Sequence, residues 1–306
     1  MKIAFTTILP KEGFNALYEH EILLAGDLSP EADVLVATFD KPVTRDMIEA
    51  MPNLKLIANF GVGYNNIDLV ACQEHKIRVT NTPNPVIEPT AELAFSLMHA
   101  VARRTAELDR KVRLGIAEPF GVMNNLGRAL FGKTLGIIGM GRIGQALARR
   151  AIASGMQIIY HNRHQLPQEV EDKYSATYVA KEDLLRMADF VSLNLPYTPD
   201  TKHIIGAEEL QMMKTTAFLI NTARGAHVDE AALVKALQTG EIAGAALDVY
   251  EFEPNISEEL KQLDNVVLSP HVGTGTWDDR IIMCHNVCDN IIAFEKGEIE
   301  KMNIVL

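Results

Sequence analysis

Three cysteines and one tryptophan in 306 residues leave no material for a disulfide framework. Cys72, Cys284 and Cys288 are odd in number in a long chain, which is the usage of a reducing cytoplasm. No apolar run approaches the ~18 residues that span a bilayer, so no membrane segment is expected. The opening MKIAFTTILPKEGF meets a proline and charges without a small-residue cleavage site; it reads as a first strand, not a signal peptide. Positive charge is short too. Against 40 Asp and Glu stand 29 Lys and Arg, leaving −11, and no stretch clusters basic residues with aromatics, so nucleic acid is not an expected partner. Zinc-ligand spacing is missing but for Cys284, His285 and Cys288. For these a metal reading stands beside packed thiols on one helix face, and the helical period of DRIIMCHNVCDNIIAFEKG favours the thiols; no metal is required. Low-complexity tracts and short-period repeats are absent.

What is present is a globular balance, 47% hydrophobic and 23% charged, long enough for two cores. Apolar runs KIAFTTI, VLVATF, KLIANFG and IRVTNTP alternate with amphipathic segments, which predicts parallel strands with helical crossovers. This series ends near Pro89. TAELAFSLMHAVARRTAELDRKVR then reads as one long connector helix with Thr90 as its N-cap. Residues 114–131 carry Gly, Pro and Asn without a period and read as an irregular arm. A second series runs from Leu135 through DFVSLNLP, AFLINTARG, IAGAALDVY and NVVLSPHVG, continuous apolar runs of strands buried on both faces. A final helix at about 278–296 and the tail EIEKMNIVL return to the first series. The expected domains are therefore 1–98 with 285–306, and 99–284.

The segment LGIIGMGRIGQALARRAIASGMQIIYHNR places Gly139, Gly141 and Gly144 after a strand and at the start of a helix. The first glycine suits a tight turn, the second the approach of a pyrophosphate, and the third close helix–strand packing. The helix N-terminus, at Arg142 and Ile143, offers unpaired N–H groups to phosphate. Ligands of doubly wound sheets bind beyond the carboxyl ends of the strands. The polar residues to inspect are therefore Pro196 to Thr201, Asn221 to Arg224, Asp248 to Glu253, and His271.

NFGVGYNNID, GKTLGIIGMGRIG, LPYTPDTKHIIG, LINTARGAHVDEAAL, ALDVYEFEP and SPHVGTGTW stand in order over nearly the whole chain, and together they resemble the D-isomer-specific 2-hydroxyacid dehydrogenases. The resemblance implies an α/β fold of two doubly wound parallel sheets, a Rossmann dinucleotide-binding domain and a flavodoxin-like substrate domain with a cleft between them. It implies Arg224, Glu253 and His271 as catalytic residues. Backbone groups near Val62 and Gly63 are implied to receive the substrate carboxylate, with Arg224 also on the substrate. Asp248 is implied to lie by the nicotinamide carboxamide. Thr90, Leu195, Pro196, Thr201, Thr222, Ala223 and Arg224 complete the cofactor residues expected beside the glycine turn.

The residue types suit that chemistry. Hydride addition to a 2-oxo acid leaves negative charge on the former carbonyl oxygen, which a donor such as the His271 imidazolium quenches. Glu253, hydrogen-bonded to it, favours that charged form. Arg224 offers a fixed fork to carboxylate and carbonyl. Each has a plainer reading: a turn histidine in SPHVG, a surface arginine in NTARG, a solvated acidic loop in YEFEP, and an Asp248 that caps a turn.

Glu253 favours oxo-acid reduction over formate oxidation, whose enzymes resemble a Gln-His arrangement. Asn59, where phosphoglycerate dehydrogenases tend to carry a basic residue, disfavours a phosphorylated substrate. Trp277 resembles the glyoxylate and hydroxypyruvate reductases, although it also suits simple packing under the connector helix. A dinucleotide-responsive binding module of the corepressor type is the alternative from another class. At the end of the second strand, where Asp or Glu would hold a ribose hydroxyl, stand His161, Asn162 and Arg163. NADP(H) is therefore the expected cofactor, with NAD(H) remaining open. Apolar Leu114, Ile116, Phe120 and Leu130 in the arm lead to a further expectation, a homodimer.

Overall fold

The computed structural model describes residues 1–23 and 29–306. Its chain divides into two compact units, 1–89 with 274–306, and 90–273. The crossings fall earlier than the expected boundaries at 98/99 and 284/285. The helix Trp277–Lys296 packs as a whole in the core of the first unit, through Met283, Cys284, Val287, Cys288 and Ile291, so no boundary falls within it.

In the first unit β1 (Lys2–Phe5), β2 (Glu21–Ile22), β3 (Val34–Thr38), β4 (Leu56–Phe60) and β5 (Arg78–Thr80) form a parallel sheet in the order β2-β1-β3-β4-β5. That order is flavodoxin-like. Successive side chains alternate faces. Ile3, Val34, Val36, Leu56 and Ala58 meet the helix Trp277–Lys296, while Ala4, Leu35, Ala37 and Ile57 meet Ile48, Ala71 and Cys72. The tail returns as expected. Val305 N–H donates to Val79 O at 2.8 Å, and Thr80 bridges Ile304 antiparallel. Cys284 and Cys288 pack where Gly13 leaves room, since a Cβ on Gly13 would lie 2.3 Å from that of Cys284. Burial pushes both thiols up to about 12, and no group of three or more His, Cys, Asp or Glu able to hold a metal occurs among the described residues.

The second unit holds seven parallel strands: β6 (Thr134–Ile138), β7 (Gln157–His161), β8 (Ala176–Tyr178), β9 (Phe190–Leu193), β10 (Phe218–Asn221), β11 (Gly244–Leu247) and β12 (Val266–Leu268). Their order is β12-β11-β10-β9-β6-β7-β8. From β6 the chain winds first one way, to β7 and β8, and then the other, from β9 onward. The loop after β6 therefore stands at the switch point where doubly wound sheets bind ligands.

The connector is not one helix. A helix Ile87–Ala102 starts before Thr90, with Pro89 in its first turn, where a missing N–H leaves no intrahelical bond unmade. Thr90 is thus buried within the helix rather than its N-cap. A second helix, Thr105–Arg113, follows a break at Arg104, whose φ of 56° is left-handed. The Arg104 guanidinium grips Glu107 with two bonds of 2.7 and 2.6 Å and reaches Leu126 O at 3.1 Å, which holds the break. The arm 114–131 contains no helix or strand. Leu114, Ile116 and Phe120 are exposed as expected, with Val122, Met123 and Phe131, but Leu130 is only 4% exposed and belongs to the core. Trp277 is exposed, so it does not pack under a helix.

Candidate active site

The three glycines after β6 differ in what a side chain would meet. Gly139 has φ +93°, and a Cβ there would lie 2.8 Å from Asn194 C. Gly144 would meet Gly139 O at 2.7 Å, so only glycine lets helix and turn close. At Gly141 an added Cβ meets nothing within 4 Å, leaving space before the helix Arg142–Ala153 for a diphosphate. Gly141 is the N-cap and carries no side chain to accept from the first-turn N–H groups.

The end of β7 is built around those glycines. Asn162 Oδ1 accepts from Met140 N–H at 2.7 Å, so its carbonyl end is committed to the turn. The His161 ring stacks on Tyr178, with centroids 5.9 Å apart, and its Nδ1 lies 3.0 Å from Val179 O. Arg163 is exposed and has no ion-pair partner among the described residues. Thr201 is occupied by its own loop, accepting from Thr198 N–H at 2.8 Å and lying 3.2 Å from Pro196 O.

Beyond β9, β10 and β11, the buried polar atoms without a hydrogen-bond partner among the described residues include Asn194 Oδ1, Thr222 Oγ1 and Asp248 Oδ2. Buried polar atoms are rarely left so in a native interior. Orphans of both kinds at adjacent strand ends fit a polar ligand such as a nicotinamide carboxamide. Burial pushes Asp248 up, against the pull of Ser269 and Val272. Its Oδ1 accepts from Ser269 Oγ at 2.6 Å and Val272 N–H at 2.9 Å, bracing the turn that carries His271. This bracing part of Asp248 has no sequence signal beyond the acid itself.

The same strand ends bring Arg224, Glu253 and His271 together. Asn221 shapes the first corner: its Nδ2 donates to Arg224 O at 2.9 Å and its Oδ1 accepts from Ala223 N–H at 3.0 Å. At Gly225 a Cβ would fall 1.9 Å from Tyr250 C, so glycine alone lets this corner abut the loop of Glu253. Glu253 Oε1 accepts from Tyr250 N–H at 2.9 Å, and Oε2 lies 2.8 Å from His271 Nδ1. Burial alone would raise the Glu253 carboxyl, but His271, that N–H and the Arg224 charge outweigh it and hold Glu253 below its ordinary value. Burial lowers Arg224, with Glu253 opposing. His271 itself adopts a left-handed φ of 55°, with its N–H on Asp248 O at 2.8 Å. Backbone of this kind collects at functional sites. A second pair, His203 Nε2 to Glu251 Oε1 at 2.6 Å, holds the loop from its other side, which sequence reading did not anticipate.

In the first unit, Val62 and Gly63 follow β4. Their N–H groups have no hydrogen-bond acceptor among the described residues.

A glycine turn at the switch point and an Arg, Glu and His at the strand ends define a nicotinamide dinucleotide-dependent dehydrogenase. The profile described as D-isomer specific 2-hydroxyacid dehydrogenase, NAD binding domain, matches residues 95–273. The glyoxylate reductase of Thermococcus litoralis is 46% identical over 97% of this chain and 95% of its own. The NADPH-dependent glyoxylate/hydroxypyruvate reductase of Sinorhizobium meliloti, solved with NADP and malonate, superposes with a TM-score of 0.83 at 32% identity, covering 96% of this chain and 93% of that one. The D-lactate dehydrogenase of Aquifex aeolicus, solved with NAD and lactic acid, gives 0.86 at 28% identity over 100% and 99%. The chain belongs to the D-isomer-specific 2-hydroxyacid dehydrogenase family.

Proposed function

We propose that this enzyme reduces small 2-oxo acids, glyoxylate and hydroxypyruvate among them, to D-2-hydroxy acids with a preference for NADPH. The observation that carries the reading is the His271–Glu253 pair of 2.8 Å beside Arg224. The nicotinamide cofactor supplies the hydride when bound. Gly139, Gly141, Arg142, Ile143 and Gly144 would hold its diphosphate, Asn162 and Arg163 its adenosine end, and Thr222 and Asp248 its carboxamide. The N–H groups of Val62 and Gly63 take the substrate carboxylate. Arg224, whose planar fork stays charged, polarises the carbonyl and orients the acid. With Nδ1 engaged by Glu253, His271 delivers the proton from Nε2 to the carbonyl oxygen, and Glu253 keeps the imidazolium in place through that transfer.

The exposed Ile116, Phe120, Val122 and Met123 of the arm support a homodimer. Three unpaired, buried cysteines suit a reducing, cytoplasmic setting. Among the described residues no helix is long and apolar enough to cross a membrane. The test is initial-rate turnover of glyoxylate, hydroxypyruvate and pyruvate with each reduced cofactor. Efficient turnover of at least one acid is expected, and none with any of the three would refute the reading. Sedimentation at micromolar concentration checks the dimer, which a single species at 33.8 kDa would exclude.

A further inference from the structure

The loop after β4 is held by side chains in an uncommon way. Asn59 Nδ2 donates to Gly61 O at 3.1 Å and to Gly63 O at 2.9 Å. Asn81 Nδ2 donates to the carbonyl between them, Val62 O, at 3.0 Å. Thr82 N–H adds a second bond to Gly61 O at 3.0 Å. Three consecutive carbonyls are thereby drawn to interior amides, and the N–H groups of Val62 and Gly63 are left without an acceptor among the described residues.

Asn59 is 1% exposed and its Oδ1 has no partner among the described residues. Turning the amide over would set that oxygen against two carbonyls, so the network fixes its orientation. An apolar residue would avoid the orphaned acceptor, whose burial is unfavourable. The donor end is therefore what the position requires. Asn81 is itself anchored. Its carbonyl accepts from Asn290 Nδ2 at 3.2 Å and its N–H donates to Asn303 O at 3.0 Å, while Asn290 Oδ1 accepts from Asn303 N–H at 2.8 Å.

We infer that Asn59 and Asn81 are positioning residues that turn the peptide groups of 61–63 so that the N–H groups of Val62 and Gly63 present a cradle for the substrate carboxylate. The inference rests on the proposed reduction of 2-oxo acids. Neither asparagine touches the substrate; each acts through the loop. Because the carboxylate is common to every substrate, the consequence is the same for all of them and confined to their binding.

The experiment compares wild type, Asn59→Ala and Asn81→Ala for KM and kcat with glyoxylate and with pyruvate. The inhibition constant of oxamate, and the affinity for reduced cofactor by its fluorescence, complete the comparison. Each variant should raise KM for both acids, and the oxamate constant in step, on the order of ten-fold or more, as expected when a hydrogen bond to a charged group is misaligned. Both kcat and cofactor affinity should stay within about two-fold. An unchanged KM and oxamate constant overturns the inference, as does a fall in kcat or cofactor affinity with KM unmoved. Should Asn59→Ala not fold, the half-buried Asn81→Ala decides by the same criteria. Wild type that reduces no 2-oxo acid strikes the functional reading itself, an outcome separate from a wild type that is active with variants whose KM is unmoved.

Discussion

Removing the Arg163 side chain should cost the enzyme the NADPH preference proposed for it and little else. Of the three residues at the end of β7, His161 is occupied by Val179 O at 3.0 Å and by its stack on Tyr178. Asn162 has its carbonyl end on Met140 N–H, at 2.7 Å. Arg163 remains as the cation without a partner among the described residues, so most of the attraction for a 2′-phosphate falls on it. A hydrogen bond to a charged group contributes ~1.5–3 kcal/mol, or roughly 10–150-fold in specificity. Because Arg163 is exposed and its field is screened, the lower end of that range applies. In a spectrophotometric assay with one 2-oxo acid, Arg163→Ala should therefore lose about ten-fold in kcat/KM for NADPH while NADH is nearly unchanged. His161→Asp should move the ratio further toward NADH, because a carboxylate there repels the phosphate and can bond a ribose hydroxyl. A wild type that prefers NADH, or an Arg163→Ala that weakens both cofactors equally, would exclude Arg163 as a contact for the 2′-phosphate.

Glu107 links stability to pH. The Arg104 guanidinium, then Lys111, holds its carboxyl at about 2 against an ordinary 4.5, despite burial. At about 1.4 kcal/mol for each tenfold in proton affinity this is up to about 3 kcal/mol, trimmed by the solvent around both part-exposed cations. The contribution is present above pH ~4.5 and is lost as pH falls toward ~2, so Glu107→Gln should lower Tm at neutral pH and narrow its gap to wild type in acid; a constant gap would contradict this. Gly225→Ala drives a Cβ to 1.9 Å from Tyr250 C and should destabilise the second unit by at least the ~1–3 kcal/mol of ordinary overpacking, read by denaturant midpoint, with activity falling too. An unaltered midpoint would mean that the corner beside Arg224 yields freely.

The two parallel sheets were legible because strands buried on both faces read as unbroken apolar runs, as at Val34–Thr38 and Phe218–Asn221. The glycine turn was legible because its three glycines stand at fixed spacing between a strand and a helix, and of these Gly139 and Gly144 answer separate steric demands. Arg224, Glu253 and His271 were legible only through the order of whole motifs; one arginine or histidine after a strand carries little by itself. Features made by side chains bonding to distant backbone escaped. The break at Arg104 comes from its grip on Glu107 and Leu126 O, which leaves no trace in helical period. Pro89 looks in the sequence like the end of a strand series, yet it lies in the first turn of a helix. Leu130 is buried, and nothing in an aperiodic arm marks which side chain turns inward. Asn59 and Asn81 were invisible as a pair for the same reason: their partners are carbonyls, which every residue has.

In the proposed reaction His271 protonates a 2-oxo acid as it is reduced to the D-hydroxy acid. Its most direct test is single-turnover reduction of pyruvate by wild type and His271→Gln with saturating reduced cofactor, with chiral analysis of the lactate formed. Wild type should give D-lactate, and His271→Gln the same enantiomer formed roughly 10²–10⁴-fold more slowly with cofactor affinity nearly unchanged. Formation of L-lactate, or a His271→Gln enzyme as fast as wild type, would contradict it.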